Sequence, residues 1–316
     1  MTAHTSSLNA RIEALIDRLS PATAERVRRR LALDAFFIVG GLLVLLRLFD
    51  VGPWTLPVLD LHAYWATRDG ISYAGSNPFL IGAYLYAPAF AQLIGPLTAL
   101  PWPVFAATWT LLSVLVYAWL VGRWAIPVLF SIAVGLELYL GQIDILLAAA
   151  IVVGFRYPVA WAFPLLTKVA PGVGLLWFLV RREWRNLALA IAATVGIAAI
   201  SAIFAPEAWR GWTDLLRRSV EERQTIDGAY LFIPIWLRLP AAAAIIVWGA
   251  RTDRYWTVPV GVLLAMPILW INVFTLLIAV IPLRDEPGLT PAREWLLRVS
   301  PAARKALTVV ARPEPG

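Results

Sequence analysis

The stretch Leu59-Asp60-Leu61-His62-Ala63-Tyr64-Trp65 gathers a carboxylate, an imidazole, a phenol and an indole about ten residues after a long apolar run. A carboxylate in that place can take a proton from a hydroxyl, the work of a general base. Further along, Glu137, Asp144, Lys168 and Arg238 stand inside apolar stretches. Each costs several kcal/mol there unless it is paired or faces water, so such residues mark either a site or a buried ion pair. Lys168 falls in the middle of its run with Pro171 behind it, too far from either end to snorkel. Arg238 lies between Pro234 and Pro240. Two such cations in a dry site suit the negative charge of a phosphate. Asp144 could pair with Lys168, and a buried ion pair with no chemistry is an equal reading of the two. Gln142 and Asn272 can donate hydrogen bonds to sugar or phosphate, and Tyr64, Trp65 and Tyr86 can stack on a sugar or line a lipid groove. Glu137 reads as structural, and His62 and Asp69 as structural or solvated.

The elements that must position these groups are helices in a membrane. Of 316 residues, 60% are hydrophobic and 15% charged, and mean hydropathy is +0.73. Soluble domains carry about 45–50% apolar and about 25% charged residues. Here the excess falls in runs separated by Arg, Pro and Trp, the pattern of bilayer-spanning helices. The absence of cysteine excludes disulfides and thiolate metal sites. His4 and His62 form no zinc-binding spacing, so a His-based zinc site is not expected; no other cofactor is expected either. The net charge of +7 reads as cytoplasmic Arg that fixes orientation, not as nucleic-acid binding.

An all-α polytopic protein of about ten spans is therefore expected, at 31–49, 86–100, 104–121, 124–140, 143–155, 158–180, 187–204, 231–250, 255–271 and 272–283. Residues 124–155 read either as two short spans or as a hairpin whose polar tip lies at depth. Residues 1–30 read as a cytoplasmic amphipathic leader, 31–283 as the transmembrane domain and 284–316 as a basic cytoplasmic tail. The loops 50–85, amphipathic along the membrane surface, and 205–230 fall outside. Both termini are then cytoplasmic, with Asp60 on the extracytoplasmic side of a bacterial inner membrane. No internal repeat of the transporter kind is visible.

Several segments, in order, resemble glycosyltransferase family 87 of the GT-C superfamily. They are the Asp60–Tyr64 loop after a first apolar span, Tyr86-Ala87-Pro88 with Pro96, Gly141-Gln142-Ile143-Asp144, Lys168-Val169-Ala170-Pro171, Ile235-Trp236-Leu237-Arg238-Leu239 and Met266-Pro267-Ile268-Leu269-Trp270. Phe232-Ile233-Pro234 replaces the Asn-Gln-Ser-like element usual before the Arg, and Asn272 stands where a histidine usually follows the late Trp. The resemblance implies a GT-C-type helical bundle that transfers a sugar, typically mannose, from a polyprenyl-phosphate donor to a glycolipid or cell-envelope glycan. The reaction would be inverting and metal-independent, with Asp60 as base and Lys168, Arg238, Gln142, Asp144 and Asn272 around the donor. A lipid or solute transporter or flippase, and a catalytically silent relative acting in an assembly, are the alternatives.

Overall fold

The computed structural model describes residues 21–48, 60–73, 83–222 and 233–285, and these contain helices and no strand. The leader is therefore described only from Pro21, the tail only to Asp285, and the two outer loops only in part. Helix α1 (Pro21–Leu48) runs unbroken from the last ten residues of the expected leader through most of the first span. It crosses α6 (Ile132–Leu140) backbone to backbone. A Cβ on Gly135 would sit 2.5 Å from the carbonyl oxygen of Gly40, so only glycine permits this approach.

Helix α2 (Asp60–Ala66) continues into a 3-10 turn (Thr67–Asp69), and α3 (Pro88–Thr98) packs beside it. At 11 residues α3 is about 16 Å long, roughly half the hydrocarbon thickness. Both its ends meet α2. Tyr86, just before it, touches Tyr64, and Leu100, just after it, accepts a hydrogen bond from Trp65 Nε1 at 2.8 Å.

Helix α4 (Trp102–Val121) starts with Pro103 in its first turn, where a missing N–H is harmless, and ends at Gly122 with φ +54°. It continues through a 3-10 turn (Gly122–Trp124) into α5 (Ala125–Leu129). The stretch Trp102–Leu129 and α10 (Trp184–Phe204) are, among the described residues, the two helical stretches long and apolar enough to cross a membrane. The bent pair α6 and α7 (Asp144–Gly154) would make a third. Most of α10 faces outward, with Ile191, Val195, Ile197, Ile200 and Ile203 exposed, as a lipid-facing helix requires.

Other expected spans are built from short pieces. The stretch 158–180 divides into a 3-10 turn (Pro158–Trp161), α8 (Ala162–Thr167), a 3-10 segment (Ala170–Leu175) and α9 (Leu176–Val180). Lys168 is extended, φ −134° and ψ 117°, and ends α8. A lysine with a partner off the helix, followed by a proline that cannot donate, breaks the run there. The expected outer loop 205–230 contains a helix, α11 (Pro206–Glu222). Its Trp209, Trp212 and Leu215 recur at helical spacing and face the protein, while Arg210, Asp214 and Arg217 face out. Helix α12 (Ile235–Arg251) packs against α13 (Thr257–Ala265), and a 3-10 segment (Ile271–Ala279) leads into α14 (Val280–Asp285).

Candidate functional site

The polar cluster is built where broken helices meet. Gly141 ends α6 with φ +70° and ψ 33°, the left-handed conformation that favours glycine. A Cβ there would lie 2.7 Å from Leu61 Cβ, so α2 packs directly on this turn. The chain then bends by 108° and restarts as α7 at Asp144. The first N–H groups of α7 have no helical acceptor. Glu137, on α6 and 1% exposed, supplies one: its Oε1 accepts from Asp144 N at 2.5 Å and Ile145 N at 3.2 Å. A carboxylate at a helix N-terminus is also favoured by the helix dipole.

Asp144 is fully buried, and its Oδ1 accepts from Lys168 Nζ at 2.6 Å. Lys168 keeps 22% of its side chain exposed. Asn272, from the 3-10 segment, lies between the two carboxylates. Its Nδ2 donates to Glu137 Oε2 and to Asp144 Oδ2, both at 3.2 Å. Two carboxylates thus stand beside one lysine, and a neutral amide and two backbone N–H groups also donate to them.

Gln142 joins this cluster to Asp60. Its Nε2 donates to Asp60 Oδ2, and its Oε1 lies 3.5 Å from Tyr64 Oη and 3.3 Å from Tyr86 Oη. The two phenols are 3.0 Å apart, so two phenolic protons serve three oxygen contacts. Burial, Tyr86 and then the Asp60 charge push the Tyr64 phenol well above its ordinary pKa, so Tyr64 stays protonated and can donate.

A cavity of about 390 Å³ runs beside the cluster, lined by Phe90, Leu93, Leu97, Trp109, Leu146 and Phe163 among others. Leu146 lies two residues beyond Asp144 on α7, and Phe163 five before Lys168. Phe90 and Trp109 pack against Tyr64, and Trp109 Nε1 donates to Gly141 O at 3.0 Å. Aromatic side chains therefore separate the groove from the Asp60–Gln142 contact.

The structure brings together Asp60, Tyr64, Tyr86, Gln142, Asp144, Lys168 and Asn272. It places Trp65 on the other side of α2, with its indole bonded to Leu100 and the Arg68 guanidinium 3.7 Å over its ring. His62 joins that aromatic group through Trp65 and Trp102, and burial followed by the Arg68 charge holds its pKa below the ordinary value. Arg238 is buried and directs its guanidinium at backbone carbonyls of Ile233, Leu264, Met266 and Pro267. Glu137, read from sequence as structural, is at the centre of the cluster. Its one sequence signal was a carboxylate in an apolar run seven residues before another. Among the described residues no group of three or more His, Cys, Asp or Glu is arranged to hold a metal.

A family model described as Glycosyltransferase family 87 matches residues 84–290. The matched part holds Tyr86, Gln142, Asp144, Lys168, Arg238 and Asn272, and begins after Asp60 and Tyr64. No curated protein and no solved structure matches the chain.

Proposed function

The chain belongs to glycosyltransferase family 87 and is a membrane glycosyltransferase, and on that premise we propose that it moves mannose from a polyprenyl-phosphate donor to a hydroxyl of a glycolipid or cell-envelope glycan. The observation that carries this reading is the join of two parts: Asp60 is oriented by Gln142, and Gln142 is two residues from the Asp144–Lys168 pair. An apolar groove lies close by, beyond the side chains of Phe90 and Trp109.

In the reaction the acceptor oxygen attacks the anomeric carbon as the bond from that carbon to the phosphate oxygen breaks. Asp60 takes the acceptor proton, and the polyprenyl phosphate leaves with the bonding electrons. Attack on the face opposite the leaving group inverts the anomeric centre. The leaving phosphate gains charge, and a fixed ammonium in a dry site stabilises that charge most where it develops. Lys168 supplies it, part-exposed and anchored by Asp144. Gln142, only half-buried, contacts donor or acceptor polar groups, while Asn272 holds the carboxylates and the buried Tyr64 and Tyr86 hold Gln142 from behind. The groove is apolar, as a polyprenyl tail demands.

The same reading gives about ten passages of a bacterial inner membrane with both termini cytoplasmic, several made by paired short helices. Asp60 and Lys168 then lie on the extracytoplasmic side. The test is to incubate membranes containing the protein with labelled polyprenyl-phosphate-mannose and identify the product. Label in a lipid or glycan is expected, and its absence from membranes that hold folded protein and their native acceptor lipids contradicts the transferase reading and favours the silent relative.

A further inference from the structure

We propose that Arg238 is a positioning residue that sets the place of Asn272, rather than a ligand for the donor phosphate. Helix α13 ends at Ala265, and Pro267 stops any continuation because it has no N–H to give. The last carbonyls of a helix lack donors, and in an apolar setting each needs one from elsewhere. Arg238, near the start of α12 and 6% exposed, supplies them from across the helix pair. Its Nη1 donates to Leu264 O at 3.1 Å and Met266 O at 2.7 Å, and its Nη2 to Pro267 O at 3.1 Å. Its Nε donates to Ile233 O at 2.9 Å. Four of the five N–H groups of a guanidinium are thereby used on backbone oxygens.

These contacts hold the chain at the place where it leaves α13. Met266 and Trp270 are extended, with ψ 132° and 153°, and the 3-10 segment opens at Ile271. Asn272 follows five residues after Pro267 and there donates to both Glu137 and Asp144. A planar fork that pins three carbonyls fixes direction as well as distance, which a single ammonium cannot do. The consequence is a line of support from Arg238 through 264–267 to Asn272, and from Asn272 to Asp144 and its lysine. The proposal deepens the transferase reading and relies on it only for its kinetic arm.

The test compares Arg238→Lys and Arg238→Met with the wild type, purified in detergent. Hydrogen–deuterium exchange follows the amides of 266–273, and initial rates with labelled polyprenyl-phosphate-mannose give kcat and donor KM. A positioning role predicts exchange at 266–273 faster by about tenfold or more in Arg238→Lys, with the rest of the chain unaltered. It predicts kcat lower by about 10–100-fold, donor KM within about twofold, and no rescue by the lysine charge. Arg238→Met strips every donor and can fail to fold, so Arg238→Lys decides. Unchanged exchange overturns the proposal, as does a donor KM raised about tenfold or more with exchange as in the wild type, the mark of a phosphate ligand. If the wild type transfers no sugar, the transferase reading falls and the exchange comparison alone decides the role of Arg238.

Discussion

Replacing Lys168 with methionine separates what the cluster does for the fold from what it does for chemistry. Methionine keeps an unbranched apolar stem and removes the ammonium, leaving Asp144 fully buried with its Oδ1 partner gone. Breaking a buried pair by removing one partner costs about 3–5 kcal/mol, because a charge is left without compensation. Lys168 is 22% exposed, so water enters the pair and the expected loss drops to about 2–3 kcal/mol. Asn272 and the N-terminus of α7 still support Asp144, which also argues for the lower figure. Changing Asp144 to asparagine in the same protein removes the orphaned charge and retains an oxygen that can accept from Asn272. The double variant is therefore expected to regain stability to within about 1 kcal/mol of the wild type, two groups in direct contact being far from additive. Activity is expected to behave differently. With no cation to meet the leaving phosphate, kcat stays about 10²–10³-fold down in both the single and the double variant. Thermal unfolding in detergent and initial rates of label transfer read the two quantities. Full transfer by the double variant would remove Lys168 from the chemistry, and an unchanged stability in Lys168→Met would refute the buried pair itself.

Two further substitutions probe the parts around that pair. Gly141→Ala forces a left-handed alanine, at about 1–2 kcal/mol, and drives its Cβ into Leu61. Thermal unfolding should show the loss, and kcat should fall beyond it because α2 carries Asp60; a variant that melts and transfers as the wild type does would show that this turn does not seat α2. Ala150→Phe narrows the cavity of about 390 Å³ along α7. It should raise KM for a long-chain donor by about tenfold and leave a two-isoprene analogue nearly untouched, whereas equal effects on both would place the lipid tail elsewhere.

Polarity against an apolar background made most of the cluster legible before any coordinates. Asp144 and Lys168 stand out because a polar group in an apolar run needs a partner, and the structure pairs Asp144 with Lys168 and with Asn272. Asp60 stands out by its place after the first apolar run and its aromatic neighbours, and the structure gives it Gln142. Glu137 escaped because its role depends on Asn272, 135 residues away, and on two backbone N–H groups that exist only once α7 has begun. Arg238 looked like a cation awaiting an anion. Its carbonyl partners in 264–267 could not be seen, because sequence does not reveal where α13 stops relative to α12. Run length found the apolar stretches 86–100 and 158–180 but not their inner form, since counting apolar residues reveals neither a helix of only 11 residues in the first nor the break at Lys168 in the second. The helix within 205–230 was visible in the spacing of Trp209, Trp212 and Leu215, but its many charges suggested a loop. Helical class and membrane character followed from composition and are what the model and the family bear out.

The central claim is that Asp60 removes the acceptor proton. Asp60→Asn retains the shape of the side chain and can still meet Gln142, so the protein should insert and fold as the wild type does. Membranes carrying Asp60→Asn, supplied with labelled polyprenyl-phosphate-mannose, are predicted to transfer label at least about 10²-fold more slowly than wild-type membranes holding the same amount of protein. Transfer at the wild-type rate would contradict the account.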